Sequence, residues 1–214
     1  MKLFYSPGAC SLAPHIVALE ARLPIELQRV NLASKRCVGG IDFLAINPKG
    51  YVPALLLDDG ELLTEGPAIS QYLADLAPAR NLLPAIGNRD RYRVLSWLSF
   101  VRSELHKSFS PLFKPGTPDW LQQDRRNLLL QRYALVEEQL AKQAHLGSDV
   151  FNIADAYLFV VSSWATKVNL DLSGFSALQG FMRRTASRPA VISALRAEGL
   201  IAATPIADQT ATPA

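Results

Sequence analysis

Residues 1–15 of the sequence are MKLFYSPGACSLAPH, and their pattern indicates how the chain begins to fold. A short apolar run is stopped by a Ser-Pro-Gly turn at residues 6–8, and an amphipathic run begins directly after Cys10 and Ser11. The pattern predicts a strand, a sharp turn and a helix, with the cysteine where the helix begins. Unsatisfied N–H groups and the helix dipole favour negative charge there, so we expect a lowered pKa for the Cys10 thiol.

The cysteine has no partner in its own loop. Ala13 stands where a redox Cys-x-x-Cys motif has its second cysteine. Redox chemistry at Cys10 would therefore need an external thiol as the second party. Cys10 is either a reactive thiol or a half-buried structural cysteine, and the thiol, turn and helix start together favour the reactive one. For Ser11, residue type alone favours an ordinary helix cap over a hydroxyl that faces a ligand.

Composition is that of a globular protein of one or two domains, with 214 residues, 49% hydrophobic residues, 19% charged residues and a net charge of +3. No Lys/Arg cluster indicates a nucleic-acid or membrane partner. Two cysteines, Cys10 and Cys37, cannot build a disulfide framework, which favours a reducing compartment. Neither a signal peptide nor a membrane span is predicted. We expect a cytoplasmic protein without a metal, and a free surface thiol at Cys37.

Residues 1–80 alternate strand and helix patterns in the order βαβαββα, which is the order of a thioredoxin-like domain. Pro67 suits the first turn of the last helix. The predicted elements after the first strand and helix are a strand at 25–32, a polar loop at 33–40 carrying Lys35, a short helix at 41–46, a hairpin turned by Asp-Asp-Gly at 58–60, and a helix at 68–76.

The dipeptide Val52-Pro53 enters one of these strands. A proline cannot donate to a strand ladder, so it indicates either an edge strand or a shaped bend with a cis peptide bond. The cis form would turn the Val52 backbone outward, where it can pair with an extended peptide ligand. The residues themselves leave both interpretations open.

A linker at 81–88 leads to a region with helical periodicity only, predicted as an all-helical domain at 89–201 with a flexible tail at 202–214. The helices are expected at 89–113, 119–144, 156–168, 174–186 and 190–197. The 156–168 segment is apolar on nearly all sides, which predicts a central buried helix.

Two polar patterns stand out in the helical region. Ser99, Ser103, His106 and Ser110 align on one side of the first helix, which suits either a polar groove wall or an exposed flank. Asn152 precedes a carboxylate by three residues, the spacing of a capping box, so we expect Asp155 to serve folding rather than catalysis. The residues expected to wall an apolar pocket between the domains are Tyr51, Leu112, Phe113, Tyr157 and Trp164.

The whole pattern resembles a cytosolic glutathione transferase, and the resemblance extends from residue 1 to about residue 201. The cysteine start and the Glu-Leu-His-Lys run look like the bacterial beta class, including its biphenyl-degradation members. The motifs that carry the resemblance are Ser6-Pro7-Gly8-Ala9-Cys10-Ser11, Asn47-Pro48-x-Gly50-x-Val52-Pro53, Thr64-Glu65-Gly66-Pro67-Ala68-Ile69, Glu104-Leu105-His106-Lys107 and Ile153-Ala154-Asp155-Ala156-Tyr157.

The resemblance implies a homodimer that takes glutathione as co-substrate and a small hydrophobic electrophile. It implies that Cys10, Ser11 and His106 act at the glutathione sulfur, without settling which of them activates it. The implied glutathione contacts are Glu65 to the α-amino group, the Gly66 N–H to the γ-glutamyl carboxylate, Val52 with Pro53 to the cysteinyl backbone, Lys35 to the glycyl end or the sulfur, Ser103 as a polar contact, and Glu104 or Lys107 across the dimer.

Three functions fit this sequence. The first is conjugation of the glutathione thiolate to electrophiles, with additional Cys10-dependent thiol-disulfide activity. The second is a glutathione-dependent reductive dehalogenase or thiol-disulfide oxidoreductase with little conjugating activity. The third is a non-catalytic interaction protein on the same scaffold. The Cys10, Val52-Pro53 and Glu65-Gly66 set argues against the third, because a scaffold has no need of all three.

Overall fold

The computed structural model describes residues 1–202. Its N-terminal part is a mixed five-stranded sheet flanked by helices, which confirms the thioredoxin-like prediction. The elements are β1 (Lys2–Tyr5), α1 (Leu12–Glu20), β2 (Glu26–Asn31), β3 (Arg36–Cys37), α2 (Phe43–Ile46), β4 (Ala54–Leu56), β5 (Leu62–Thr64) and α3 (Gly66–Asp75). The strand order is β3-β2-β1-β4-β5, with β1 parallel to β2 and every other pair antiparallel.

The short strand β3 corrects one prediction. It pairs with β2, with Cys37 opposite Val30, inside the segment expected to be a polar loop. Cys37 is buried and packs with Phe4 and Phe43, so the prediction of a surface thiol is wrong. Pairing turns alternate residues of a strand inward, and two residues are too few for that alternation to be visible in a sequence. Burial also raises the pKa of the Cys37 thiol.

The C-terminal part is helical. Its elements are α4 (Arg89–Phe100), a π-helical segment (Val101–His106), α5 (Lys107–Phe113), α6 (Asp119–Lys142), α7 (Ile153–Ser162), a 3₁₀ turn (Ala165–Val168), α8 (Ser176–Ala186) and α9 (Pro189–Ala197). Every residue of α7 is buried, and α7 packs against α1 and α4, which confirms the predicted central helix. It ends at Ser162, earlier than expected, and the 3₁₀ turn follows.

The π-helical segment interrupts what periodicity predicts as one helix at 89–113. The Ser103 hydroxyl donates to the Ser99 carbonyl, and the Ser108 hydroxyl donates to the Glu104 carbonyl. Such bonds to carbonyls four residues earlier compete with the backbone ladder. Pro111 in α5 also lacks an N–H. A π segment inside an α-helix is frequent at functional sites, and this one carries His106.

The segment between α3 and α4 is short and partly packed. It contains a 3₁₀ turn (Pro78–Arg80), and Leu82 and Leu83 are buried. The division into domains at 1–80 and 89–201 with a linker at 81–88 stays a prediction. The expected flexible tail lies, apart from Ala202, outside the described residues. Across residues 1–202, no helix has both the length and the apolar character needed to cross a membrane.

Candidate active site

The turn after β1 is closed by its own serine. The Ser11 hydroxyl accepts from the Ser6 N–H at 3.2 Å and lies 3.3 Å from the Ser6 carbonyl, to which it donates. Ser11 is fully buried and its side chain does not cap α1. Its expected contact with a substrate sulfur stays a prediction, and the geometry gives this hydroxyl a loop-closing role.

Helices from the far end of the chain hold the same turn in place. The Gly8 N–H donates to Glu198 Oε2 at 2.9 Å, and Trp164 Nε1 donates to the Gly8 carbonyl at 2.9 Å. Glu198 is buried and its other oxygen lies 3.0 Å from His15 Nδ1. Sequence reasoning missed these contacts because more than 150 residues separate the partners. The turn is therefore fixed by the helical part as well as by the sheet.

Cys10 faces Val52 across the turn. Its Sγ lies 3.3 Å from the Val52 carbonyl, to which the thiol donates, and the Val52-Pro53 peptide bond is cis, as one interpretation of the sequence held. Burial raises the pKa of the Cys10 thiol to about 11, and Arg102 opposes this only in part. The expected lowering of the pKa is therefore wrong, because α1 begins at Leu12 and desolvation outweighs the nearby positive charge. At pH 7 Cys10 is a neutral thiol.

Two cavities meet at Cys10. We call the larger one, about 680 Å³, the polar cavity and the smaller one, about 400 Å³, the apolar cavity. Both are lined by Cys10, Tyr51, Val52, His106 and Ser110. The polar cavity adds Asn47, Lys49, Pro53, Thr64, Glu65, Gly66, Arg102, Lys107 and Tyr157, and the apolar cavity adds Ser6, Pro7, Gly8, Ala9, Leu32, Phe113, Trp164 and Lys167.

The polar cavity has charges of both signs. Glu65 pairs with Arg102 at 3.2 Å, and Lys49 Nζ donates to the Thr64 hydroxyl at 2.7 Å. Glu65 occupies the N-cap position of α3, although its side chain makes no capping hydrogen bond. Its φ is +71°, a conformation that costs free energy in any residue with a side chain. The first helical residue is Gly66, and a Cβ there would lie 3.3 Å from Tyr157 Cε2. The helix N-terminus and the cations suit an anionic ligand, and Glu65 suits an ammonium group.

His106 lies between the two cavities and contacts Tyr157. Its Nδ1 is 2.7 Å from the Tyr157 hydroxyl, and its ring packs edge-on against Trp164 with centroids 4.9 Å apart. Burial lowers the pKa of His106 to about 4, with smaller contributions from Arg102 and Lys107. The imidazole is therefore neutral at pH 7. Sequence reasoning placed Tyr157 among the apolar walls and missed the contact between its hydroxyl and His106.

The lowered pKa of His106 predicts a pH dependence of stability. An unfolded histidine binds a proton near pH 6.5, whereas the native His106 stays neutral until about pH 4. The native state is thus disfavoured as pH falls, by up to about 2 kcal/mol between pH 6.5 and 5. Urea unfolding across this range is expected to show a shallower loss of stability in His106→Asn than in the wild type. Parallel curves for the two proteins would contradict the lowered pKa.

Of the predicted site residues, the structure brings Cys10, Val52, Pro53, Glu65, Gly66, His106 and Lys107 together around the two cavities. The other four, including Ser11, line neither cavity. Lys35 Nζ donates to the Gly50 carbonyl at 2.8 Å, Ser103 is exposed, and Glu104 pairs with Arg132 at 2.8 Å. Their substrate contacts stay predictions.

Several cavity residues were given no site role from the sequence. They are Asn47 and Thr64, which were named only as parts of motifs, and Lys49 and Arg102; all four line the polar cavity with Glu65. Asn47 is buried and donates to the Tyr51 carbonyl at 2.9 Å, so it shapes the loop before Val52. Of the expected apolar walls, Tyr51, Phe113 and Trp164 line the apolar cavity, and Leu112 lines neither cavity.

Comparison with known families identifies the chain. Residues 8–76 match the model of the glutathione S-transferase N-terminal domain, and residues 100–189 match that of its C-terminal domain. Glutathione S-transferase GstA of Escherichia coli O157:H7 is 50% identical over 200 residues, which are 94% of this chain and 100% of that protein. The chain belongs to the glutathione S-transferase family. The resemblance inferred from the motifs is thereby confirmed.

Two solved structures of the family are close in shape. A sphingomonad glutathione S-transferase in complex with glutathione has a TM-score of 0.91 and 48% identity, covering 94% of this chain and 100% of that one. A bacterial beta class glutathione S-transferase from Sphingomonas chungbukensis has a TM-score of 0.91 and 45% identity, with the same coverage. Similarity to the bacterial beta class, expected from the cysteine start, is therefore confirmed.

Proposed function

We propose that this protein is a glutathione transferase that joins the thiolate of glutathione to small apolar electrophiles. The observation that carries the proposal is the meeting of the polar and apolar cavities at Cys10. A charged tripeptide suits the first cavity and an apolar compound suits the second. Their reacting atoms would then meet beside Cys10 and His106. Such positioning is itself a large part of the rate gain in a two-substrate reaction.

Glutathione matches the charges of the polar cavity. It has one ammonium group and two carboxylates. From residues 1–202, the cavity offers one carboxylate and the three cations Lys49, Arg102 and Lys107. In our proposal Glu65 accepts from the ammonium group and the Gly66 N–H donates to the neighbouring carboxylate. The Val52 backbone pairs with the cysteinyl residue, which directs the sulfur toward Cys10. The cations supply the attraction for the glycyl carboxylate.

The protein must also raise the fraction of glutathione that is ionised. A thiol with a pKa near 8.5 is only about 3% thiolate at pH 7, and lowering that pKa by about two units makes the thiolate dominant. Neutral donors stabilise a thiolate, and both Cys10 and His106 are neutral at this pH. We infer that, when glutathione pairs with the Val52 backbone, the Cys10 S–H leaves the Val52 carbonyl and donates to the substrate sulfur instead. The His106–Tyr157 pair donates toward the same sulfur. A neutral Cys10 is a poor nucleophile toward disulfides, which weakens the oxidoreductase alternative.

The Cys10 series tests this role. Conjugation of glutathione to 1-chloro-2,4-dinitrobenzene is expected in the wild type, with kcat/KM lowered about three- to tenfold in Cys10→Ala, the value of one weak hydrogen bond. Cys10→Ser keeps a neutral donor and is expected to retain more activity than Cys10→Ala. The measurement is initial rate against glutathione concentration for the three proteins.

Other results select the alternatives. If Cys10→Ala and Cys10→Ser lose activity equally, the sulfur itself reacts and thiol-disulfide chemistry is favoured. A wild type that is retained on immobilised glutathione but conjugates nothing supports the dehalogenase or oxidoreductase function. A wild type that is not retained supports a non-catalytic interaction protein on this scaffold.

We also propose that the active form is a homodimer, as expected for this family. Glu104, predicted to reach across a dimer, pairs with Arg132 of its own chain, so the predicted cross-subunit contact would require Glu104 to exchange this partner. Sedimentation equilibrium is expected to give twice the 23.4 kDa of one chain. A mass of one chain at micromolar concentration would contradict the proposal.

A further inference from the structure

We propose that the apolar cavity selects electrophiles that carry an anionic group, and that Lys167 is the residue that selects them. This inference rests on the proposed transferase function and adds the chemical class of the second substrate. Among the described residues that line the apolar cavity, two are basic, Lys167 and His106, and none is an aspartate or glutamate. His106 is uncharged, so Lys167 is the charged one. The other lining side chains are apolar or carry a hydroxyl or thiol.

The position of Lys167 is defined by its contacts. It lies in the 3₁₀ turn that follows Trp164, and its N–H donates to the Trp164 carbonyl at 2.9 Å. A Cβ added at Gly8 would lie 3.1 Å from Lys167 Nζ and 3.4 Å from Leu200 Cδ2, so the ammonium group lies directly over Gly8. Gly8 belongs to the turn that presents Cys10. The ammonium group of this exposed side chain thus lies at the edge of the cavity, over the turn that presents Cys10.

Within the described residues, no carboxylate neutralises the charge of Lys167. No salt bridge to Lys167 forms within residues 1–202. Glu198 also contacts Gly8, but its two oxygens already interact with the Gly8 N–H and with His15. Among the described residues that line the apolar cavity there is no carboxylate. From residues 1–202, a ligand that fills this cavity therefore meets the positive charge of Lys167 and no negative charge.

Glutathione does not account for this lysine. The three cations of the polar cavity, Lys49, Arg102 and Lys107, lie on the side of Glu65 and Gly66. Lys167 lines only the apolar cavity, beyond Cys10 and beside Trp164 and Phe113. A ring packed against these two aromatic side chains would direct a carboxylate or sulfonate substituent to Lys167. The preferred class is consequently an apolar, ring-containing electrophile with one anionic substituent.

A matched pair of substrates tests the inference. In 4-chloro-3,5-dinitrobenzoate and 4-chloro-3,5-dinitrobenzamide, the ring and leaving group are the same and only the charge differs. In both reactions the glutathione sulfur forms a bond to the ring carbon, the C–Cl bond breaks, chloride leaves with the electron pair, and the thiol proton goes to water. Lys167→Met is expected to raise KM about two- to fivefold for the benzoate and leave KM for the benzamide unchanged, as for an exposed ion pair.

Two further variants control for effects other than charge at this position. Lys167→Arg keeps the charge and is expected to keep the preference for the benzoate. Lys142→Met removes one positive charge from the exposed end of α6, which lines neither cavity, and is expected to change neither KM. If Lys142→Met lowers the preference as much as Lys167→Met does, net charge explains the result and the inference is overturned.

Binding separates this inference from the transferase proposal. Quenching of tryptophan fluorescence by 3,5-dinitrobenzoate and 3,5-dinitrobenzamide, with S-methylglutathione filling the polar cavity, gives a Kd for each without turnover. A binding preference for the benzoate that is lost in Lys167→Met supports the inference, even if neither chlorinated compound is conjugated. Absence of conjugation would contradict the transferase proposal and would leave this inference standing. Equal Kd values for the two ligands, or a preference unchanged in Lys167→Met, would overturn the inference while leaving conjugation intact.

Discussion

Replacement of Asp155 by alanine is expected to lower the free energy of unfolding by about 3 kcal/mol, because two buried backbone N–H groups lose their acceptor and His145 loses its contact with the carboxyl. Asp155 is fully buried and accepts from the Leu146 N–H at 2.9 Å and the Asn152 N–H at 3.1 Å. His145 Nδ1 lies 2.9 Å from Asp155 Oδ2. Burial raises the pKa of this carboxyl, and the contacts with His145 and the backbone oppose that rise.

The effect should appear as a lower melting temperature, by about 6–12 °C for a chain of this size. A suitable control is Asp171→Ala, since Asp171 also accepts a backbone N–H, that of Ser173, but is exposed. Thermal unfolding followed by circular dichroism compares the three proteins. If the two variants unfold at the same temperature, burial of the Asp155 carboxylate does not stabilise the fold as argued here.

Only some of the contacts of Asp155 could be predicted from the sequence. The spacing of Asn152 and Asp155 predicts the capping box, which the structure confirms with both of its reciprocal bonds. The contacts to His145 and Leu146 were not predicted, because they come from the loop before the helix, whose path has no periodicity. The local sequence pattern thus predicts the hydrogen bonds between Asn152 and Asp155, but not the contacts that Asp155 makes with the preceding loop.

The same limit explains the errors at the site. Helical spacing suits either a polar groove wall or an exposed flank for Ser99, Ser103, His106 and Ser110. Ser99 and Ser103 are exposed and line neither cavity, whereas His106 and Ser110 line both. The pKa of Cys10 was predicted from the N–H groups and dipole at a helix start, whereas burial of the thiol has the larger effect and raises it. Four of the five strands, most of the helices and the family motifs were predicted because each has its signal within a few consecutive residues.

Glu65 is the residue for which function and stability are expected to oppose each other most. Its φ of 71° is favourable only for glycine, and its carboxylate is the proposed partner of the glutathione ammonium group. Glu65→Gly and Glu65→Ala both remove the carboxylate and the ion pair with Arg102. Each is expected to weaken glutathione binding about ten- to a hundredfold, the value of a charged hydrogen bond. Isothermal titration with glutathione measures the loss.

The two variants should nevertheless differ in stability. Glycine adopts the positive φ without the cost that alanine bears, and after allowing for the greater freedom of glycine in the unfolded chain the difference is about 1 kcal/mol. Glu65→Gly is therefore expected to melt about 2–4 °C above Glu65→Ala. Arg22 provides the control, because it has a φ of 56° after α1 and lines neither of the two cavities.

Arg22→Gly should exceed Arg22→Ala in stability by a similar margin, without any change in glutathione affinity. Equal melting temperatures for Glu65→Gly and Glu65→Ala, alongside the expected difference at Arg22, would mean that residue 65 is not strained. Unchanged glutathione affinity in both Glu65 variants would remove Glu65 from the proposed site. If both expectations hold, the backbone at residue 65 is kept in a costly conformation because that conformation places a carboxylate at the start of α3, where the ammonium group of glutathione is proposed to bind.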